Sequence, residues 1–324
     1  MAEIGFSLSP FAISTAELAQ LARETEDAGY AGVFVPEGNN DGLISCYAIA
    51  QATRRAKIGS WITNIYFRQP NLCAAGAALV QEASDGRFIL GLGVSHRYTL
   101  GNLGIEMGNA RERLRSYTAT LRKMFAGEPV SAEFPMRLRA IPKPIPIYYG
   151  ALTIETARLG GELADGLLLY LCSPKRMRDA IAAASQRASS NGRKPDEIAV
   201  TVGLPAFVDE DRGRALQAAR MGLAFYASLP FFNRILSRNG FEAEAKAVAE
   251  AAAKRDFAAM GSALSERLLD SLALVGPPAK CIDRLAEYRE MGGKFPIIVP
   301  NVVNETYVSC VRKNLNVFGR AVRA

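Results

Sequence analysis

The chain has 324 residues, 49% of them hydrophobic and 22% charged, which is ordinary for a soluble globular protein and enough for one large domain or two smaller ones. The net charge of +7 comes from basic residues that alternate with acids, as in "RETED" and "RERLRSY"; with no basic block interleaved with aromatics, no nucleic acid is expected, and an anionic small molecule suits the balance better. Five scattered cysteines (Cys46, Cys73, Cys172, Cys281, Cys310), odd in number and without a CxxC, argue against a disulfide framework and a zinc site and are expected as free, largely buried thiols.

Apolar runs such as "FILGLGV" are strand-sized and too short to span a membrane. The opening "MAEIGFSLSP" lacks the basic start and apolar stretch of a signal peptide, so a cytoplasmic location is expected. Along the chain, short β-rich runs alternate with amphipathic helical ones. "EIGFSLS" leads to "STAELAQLARETEDAG", a helix capped by Ser14 or Thr15 and closed by Gly29. "YAGVFVP" precedes a helix expected near Leu43 to Ala56, and "KIGSWITNIYF" precedes one that follows Pro70 and ends near Ser84. "RFILGLGV" runs through a loop into "NARERLRSYTATLRKMFAG". "PIPIYYG" is followed by "TIETARLGGELA", "DGLLLYL" by "SPKRMRDAIAAASQRASSNG", and "EIAVTVGLPAFV" by "DEDRGRALQAARMGLAFYA". A helical stretch read as containing no strand comes next, then "PPAKCIDRLAEYREMGG", the strand "KFPIIVPN" and a last helix.

These are eight strand candidates, each apolar on both faces and each followed by a helix, a pattern that requires parallel pairing with right-handed crossovers. Eight such units predict an α/β fold, a (β/α)8 TIM barrel. No linker divides them, so residues 1–324 are expected to form one domain. Two segments exceed ordinary loop length, about 127–145 and about 226–266, and are expected as insertions at the C-terminal face of the barrel. "GLGVSH" is a poor GxGxxG, because His96 stands at the third glycine position and no helix is expected to begin there; an open dinucleotide-binding sheet is set aside.

In a barrel of this kind the chemistry lies just past the strand ends. Those positions carry Ser7 and Ser9; Glu37, Asn39 and Asn40; Trp61, Thr63, Asn64, Tyr66 and Arg68; Ser95, His96 and Arg97; then "YYGALT" and "YLCSP". His96 is the only histidine, so a metal site built on several imidazoles is excluded, and no GxSxG elbow presents a serine nucleophile. Two features suit a flavin-like cofactor. In "YYGALTIETA", Thr153 stands at a helix N-terminus, where exposed N–H groups hold a phosphate or the hydroxyl simply caps the helix. The glycines of "GLGV" admit either a planar ring or close packing at the barrel mouth.

Taken together, "ETEDAGYAGVFVPEGNN", "KIGSWITNIYFRQP", "DGRFILGLGVSHRYTLGNLGI", "IPIYYGALTIETARLGGELADGLLL" and "VGPPAKCIDRLAEYREMGG" resemble the bacterial luciferase-like family of flavin and deazaflavin enzymes, in particular its branch of coenzyme F420-dependent methylenetetrahydromethanopterin reductases. The resemblance spans most of the chain and implies a (β/α)8 barrel with an insertion region, a tricyclic ring at the C-terminal mouth and its phosphate near Gly150, Ala151, Leu152 and Thr153. It also implies a non-proline cis peptide at Trp61–Ile62. The cofactor set it suggests adds Ser7, Trp61, Ile62, Thr63, Asn64, Gly93, Val94 and Ser95. Two positions depart from that branch: its Asp-His pair after the second strand reads Pro36 and Glu37 here, and the acidic residue after the fourth strand's glycine run is His96. His96 is therefore read either as a proton donor or acceptor at the ring edge or as a loop histidine bonded to backbone. Glu37 is read as a second catalytic acid or base, or as a carboxylate held by backbone N–H groups. Tyr66, Arg97, Phe231 and Phe232 are the expected substrate contacts, with Trp61 in the same hydrophobic wall. The leading expectation is an F420-dependent reductase acting on an unsaturated or imine-type small organic molecule, as a homodimer. The alternatives are an FMN-dependent monooxygenase of the same fold, and a barrel that has lost its cofactor and its catalysis.

Overall fold

Strands with no polar face need cover on both sides, and this chain supplies it with a closed interior and an outer coat of helices. The computed structural model describes residues 3–133, 135–139, 141 and 143–323. In chain order its elements begin with β1 (Gly5–Ser7), α1 (Thr15–Asp27), β2 (Gly32–Val35), α2 (Gly42–Ala52), β3 (Lys57–Ser60), β4 (Thr63–Asn64) and α3 (Pro70–Ala83). There follow β5 (Phe88–Gly93), α4 (Arg97–Asn102), α5 (Ala110–Phe125), β6 (Ile147–Gly150), α6 (Ile154–Leu163), β7 (Gly166–Tyr170) and α7 (Pro174–Ser190). The last part comprises β8 (Ala199–Val208), α8 (Arg212–Ser228), α9 (Pro230–Arg238), α10 (Glu242–Ala253), α11 (Phe257–Ser262), α12 (Glu266–Leu272), β9 (Leu274–Gly276), α13 (Pro278–Glu290), β10 (Phe295–Pro300) and α14 (Tyr307–Arg323).

The strands pair in parallel in the order β10-β1-β2-β3-β5-β6-β7-β8, and β10 also pairs with β8, which closes an eight-stranded (β/α)8 barrel. The peptide Trp61–Ile62 is cis, and beyond it β4 continues along β5, pairing Thr63 with Leu92. Helix starts follow local chemistry: Ser14 and Glu17 form a reciprocal capping box at α1, and Gly29 leaves that helix at φ +93°.

Three local expectations need correction. The helix α2 stops at Ala52 rather than near Ala56, because the buried Glu26 carboxylate takes the backbone N–H groups of Arg54, Arg55 and Ala56, turning them away from a helical path. The stretch before α13 does contain a strand: β8 is ten residues long, and β9 covers its protruding end, Ala206–Val208. A short helix, α4, does begin after His96, which is its N-cap. The closed barrel, not the absence of a helix, is what excludes an open dinucleotide-binding sheet.

Two apolar layers result. Outward strand residues such as Val33, Ile58, Leu90, Leu92, Leu169 and Val202 pack under the helices. Phe34, Ile89, Leu168, Phe295 and Ile297 fill the interior, with Trp61, Ile62 and Tyr148 packed against them. A further cluster joins Leu171 and Phe207 at the barrel rim to Leu216, Phe232, Leu236 and Leu264 of the helical segment. Residues 230–262 are thus three helices over the C-terminal end, while the described part of 127–146 is irregular.

Candidate active site

Trp61 and Ile62 turn into the barrel where glycines leave room. A β-carbon on Gly203 would lie 1.6 Å from the Trp61 ring, and one on Gly93 would lie 2.4 Å from Ile62 Cδ1. At Gly91 the obstacle is the Ser60 carbonyl oxygen, 2.1 Å away. Of the two readings of "GLGV", the geometry is that of close packing: the space above these glycines is filled by protein. The Trp61 ring stands edge-on to Tyr170, the last residue of β7, at 5.4 Å and 84°; Tyr170 in turn meets Tyr226 of α8 at 5.8 Å and 74°. Ser7, Thr63 and Asn64 are buried at the neighbouring strand ends, and the Thr63 hydroxyl has no hydrogen-bond partner.

The side chain of Glu37, just past β2, is 1% exposed, and both its oxygens accept hydrogen bonds. Oε1 accepts the Asn64 N–H at 2.9 Å; Oε2 accepts the Gly42 N–H at 3.1 Å and an Arg68 N–H at 2.8 Å. Asp41, the N-cap of α2, lies 3.3 Å from the same guanidinium. Burial pushes the Glu37 carboxyl above its usual range, against the pull of the Asn64 and Gly42 N–H groups and of Arg68. Every hydrogen-bond partner of its oxygens is a donor: one N–H on Oε1, and an N–H and a guanidinium on Oε2. Of the two readings of Glu37, this geometry is that of the carboxylate held by backbone N–H groups.

The end of β6 and the start of α6 form one wall of a cavity lined by Ala151, Leu152, Thr153, Tyr170, Arg176 and Phe232. Thr153 caps α6, its Oγ1 accepting the Thr156 N–H at 3.0 Å. The capping reading is therefore realised, with Thr153 itself lining the cavity. Arg176, in the first turn of α7, is half-buried, and among the described residues its guanidinium makes no hydrogen bond or carboxylate pair. An uncompensated guanidinium next to a helix N-terminus fits a phosphate.

His96 is half-buried at the head of α4, where its ring makes no capping bond and no other hydrogen bond among the described residues. It is not the backbone-bonded loop histidine. Burial holds its pKa below the ordinary imidazole value, so the ring is neutral at pH 7. Ser95 before it is at φ +59°, and Val94 is half-buried. The expected substrate wall is not assembled. Tyr66 donates to the Met107 carbonyl at 2.6 Å and lies under the Arg113 guanidinium. Arg97 is exposed, and Phe231 is half-buried on α9 outside the apolar clusters. Only Phe232 lines the cavity. Trp61 has Tyr170 and Tyr226 as neighbours instead. Sequence reasoning reached "YLCSP" without a reason to select Tyr170, and nothing in "SPKRMRDA" separates Arg176 from its basic neighbours. Tyr226, in the last turn of α8, gave no signal.

Among the described residues no helix is long and apolar enough to cross a membrane, and no three His, Cys, Asp or Glu side chains are grouped to hold a metal ion. The family model for luciferase-like monooxygenases matches residues 3–294. The 5,10-methylenetetrahydromethanopterin reductase of Methanolobus tindarius is 30% identical over 287 residues, covering 85% of this chain and 87% of that protein. The solved coenzyme F420-dependent tetrahydromethanopterin reductase from Methanopyrus kandleri shares the fold at a TM-score of 0.81 and 23% identity, over 98% of this chain and 97% of its own. An F420-dependent secondary alcohol dehydrogenase, solved with an F420-acetone adduct, does so at 0.77 and 16% identity, over 100% and 99%. Matched over nine-tenths of its length, the chain belongs to the luciferase-like monooxygenase family.

Proposed function

We propose that this chain is an F420-dependent oxidoreductase acting on an unsaturated or imine-type small organic substrate. The observation that carries the reading is Arg176, a half-buried guanidinium without a protein counter-charge, placed beside Thr153 and the first turn of α6. The relatives named as F420-dependent enzymes support the choice of cofactor. When bound, reduced F420 supplies the hydride. The chain's own residues supply the rest. Gly150 to Thr153 and Arg176 hold the phosphate. Trp61, Ile62 and Gly93 form a dry floor at the mouth, edged by Ser7, Thr63, Asn64, Val94 and Ser95. His96, neutral and unbonded, exchanges the proton at an imidazole nitrogen. Glu37 ties the end of β2 to β4 and α2, and so positions Asn64.

The runner-up is an FMN-dependent monooxygenase, since FMN presents the same phosphate and a tricyclic ring; a barrel without cofactor is the third reading. Titrating the protein with F420 and with FMN while following ring fluorescence separates them. Tight F420 binding with negligible FMN affinity is the expected result. A preference for FMN overturns the reductase, and binding of neither leaves the non-catalytic barrel. The reading also takes residues 1–324 as one cytoplasmic domain, in keeping with five buried free cysteines, and as a homodimer. The exposed apolar side chains Ile44 and Tyr47 on α2, and Leu72 and Leu79 on α3, offer a second copy its seat; these two helices pack side by side.

A further inference from the structure

We propose that the hydroxyls of Tyr170 and Tyr226 are hydrogen-bond donors to the substrate, and that with Trp61 they form a wall selecting a flat, uncharged, conjugated molecule that carries a carbonyl or imine acceptor. The proposal deepens the reading above, on which it rests for the assignment of this wall to the substrate side of the mouth.

Tyr30, Tyr66, Tyr117, Tyr149, Tyr288 and Tyr307 each engage a protein partner through the hydroxyl. A phenol with its ring in an apolar setting ordinarily finds such a partner. Tyr170 and Tyr226 do not: their rings are locked edge to face, yet among the described residues neither hydroxyl makes a hydrogen bond, and neither is sealed away as a buried orphan. Tyr148 is likewise unbonded, but it pairs with Gly166, the first residue of β7, at the opposite end of the barrel. Tyr170 closes β7 in register with Gly203, the glycine that makes room for Trp61, and it lines the cavity shared with Thr153 and Arg176. The ring series Trp61–Tyr170–Tyr226–Phe225 is thus an uncharged surface with two donors on it. Desolvation raises both phenols further above neutrality, so they stay protonated and serve as donors only. A flat π-system matches the rings, and an acceptor matches the hydroxyls; a saturated molecule forgoes the ring contacts, and an anion finds no counter-charge on this wall to offset its desolvation.

Trp61 is the chain's single tryptophan, so its emission reports on this wall without any cofactor. The test titrates wild type, Tyr170→Phe and Tyr226→Phe with acetophenone, and with ethylbenzene as the analogue lacking an acceptor, following Trp61 emission. F420 affinity is measured in parallel from the cofactor's own fluorescence. Phenylalanine keeps the ring contacts and removes only the hydroxyl. Acetophenone is expected to bind saturably to wild type and about three- to tenfold more weakly to each variant, with ethylbenzene unaffected. Equal effects on both probes, no effect, or no saturable acetophenone binding overturns the proposal. So does a loss of F420 affinity with acetophenone unchanged, which would give the hydroxyls to the cofactor. If wild type binds no F420 while acetophenone binding still depends on the tyrosines, the cofactor reading fails and this one stands.

Discussion

Replacing Glu37 by glutamine tests whether this carboxylate is scaffold or catalyst. The amide has the same shape but only one acceptor oxygen. Facing Gly42 and Arg68, it sets its NH2 against the Asn64 N–H; facing Asn64, it abandons the other two donors. At least one buried donor is left unpaired, at a cost of about 1–3 kcal/mol. The Arg68 side chain, 12% exposed, also loses its buried counter-charge, and removing one partner of a buried pair costs about 3–5 kcal/mol. Asp41, at 3.3 Å and 40% exposed, retains part of that interaction, which brings the expected total to about 2–4 kcal/mol. For a protein of this size, thermal unfolding should shift down by about 3–6 °C. Adding Arg68→Met to Glu37→Gln should recover part of the loss, because the double variant no longer buries an unpaired cation. Below its melting temperature the glutamine variant should still bind F420. A Glu37→Gln protein that melts with wild type but has lost turnover would refute the structural assignment and return Glu37 to the acid–base role.

Three further outcomes follow from the same geometry. His96→Ala should lower turnover about 100-fold with F420 affinity retained, and remove the acidic limb of the pH profile, which arises because burial keeps the imidazole neutral until the pH drops below its ordinary range; unchanged turnover removes the proton role. Arg176→Gln should weaken F420 about 10- to 100-fold and flatten the salt dependence of binding, while the cofactor-free protein melts as wild type, since the guanidinium has no protein counter-charge to lose. Glu26→Gln concerns acid stability. Burial would raise the Glu26 carboxyl, but the N–H groups of Ala56, Arg55 and Arg54 overcome this and hold it below 4.5. The unfolded chain therefore binds the proton more readily, so this stabilisation is present above about pH 4.5 and is lost as the pH falls through the lowered value. The variant should be less stable at pH 7 and show a shallower fall in melting temperature on acidification.

The barrel was legible because its signal is local and repeated. Runs such as "GVFV" and "GLLLY" are apolar on both faces, and only a parallel sheet under helices accommodates eight of them. What was missed depends on distant partners. The end of α2 is set by Glu26, twenty-eight residues before Arg54, and β9 exists because β8 overshoots the barrel. The strand-end rule located Trp61, His96 and Thr153. It could not tell that Asn64, Gly42 and Arg68 already occupy Glu37, or that Met107 takes the Tyr66 hydroxyl. Role followed partnership, and partnership is three-dimensional.

Unpaired polar groups mark the same proposed site. Polar groups brought into a folded interior are costly unless paired, so a chain that pairs nearly all of them marks the exceptions. Some exceptions are sealed, such as Arg68 Nε and Asn314 Oδ1. The Arg176 guanidinium, the Tyr170 and Tyr226 hydroxyls and the His96 ring are different: among the described residues they are unpaired yet not sealed, and they stand at or just past the ends of β5 and β7 and on α8. One is a fixed cation, two are neutral donors and one is a neutral base. On the function proposed above, that set would bind an anion, orient an uncharged acceptor and move one proton, which is the inventory a hydride transfer between a phosphorylated cofactor and a neutral substrate requires.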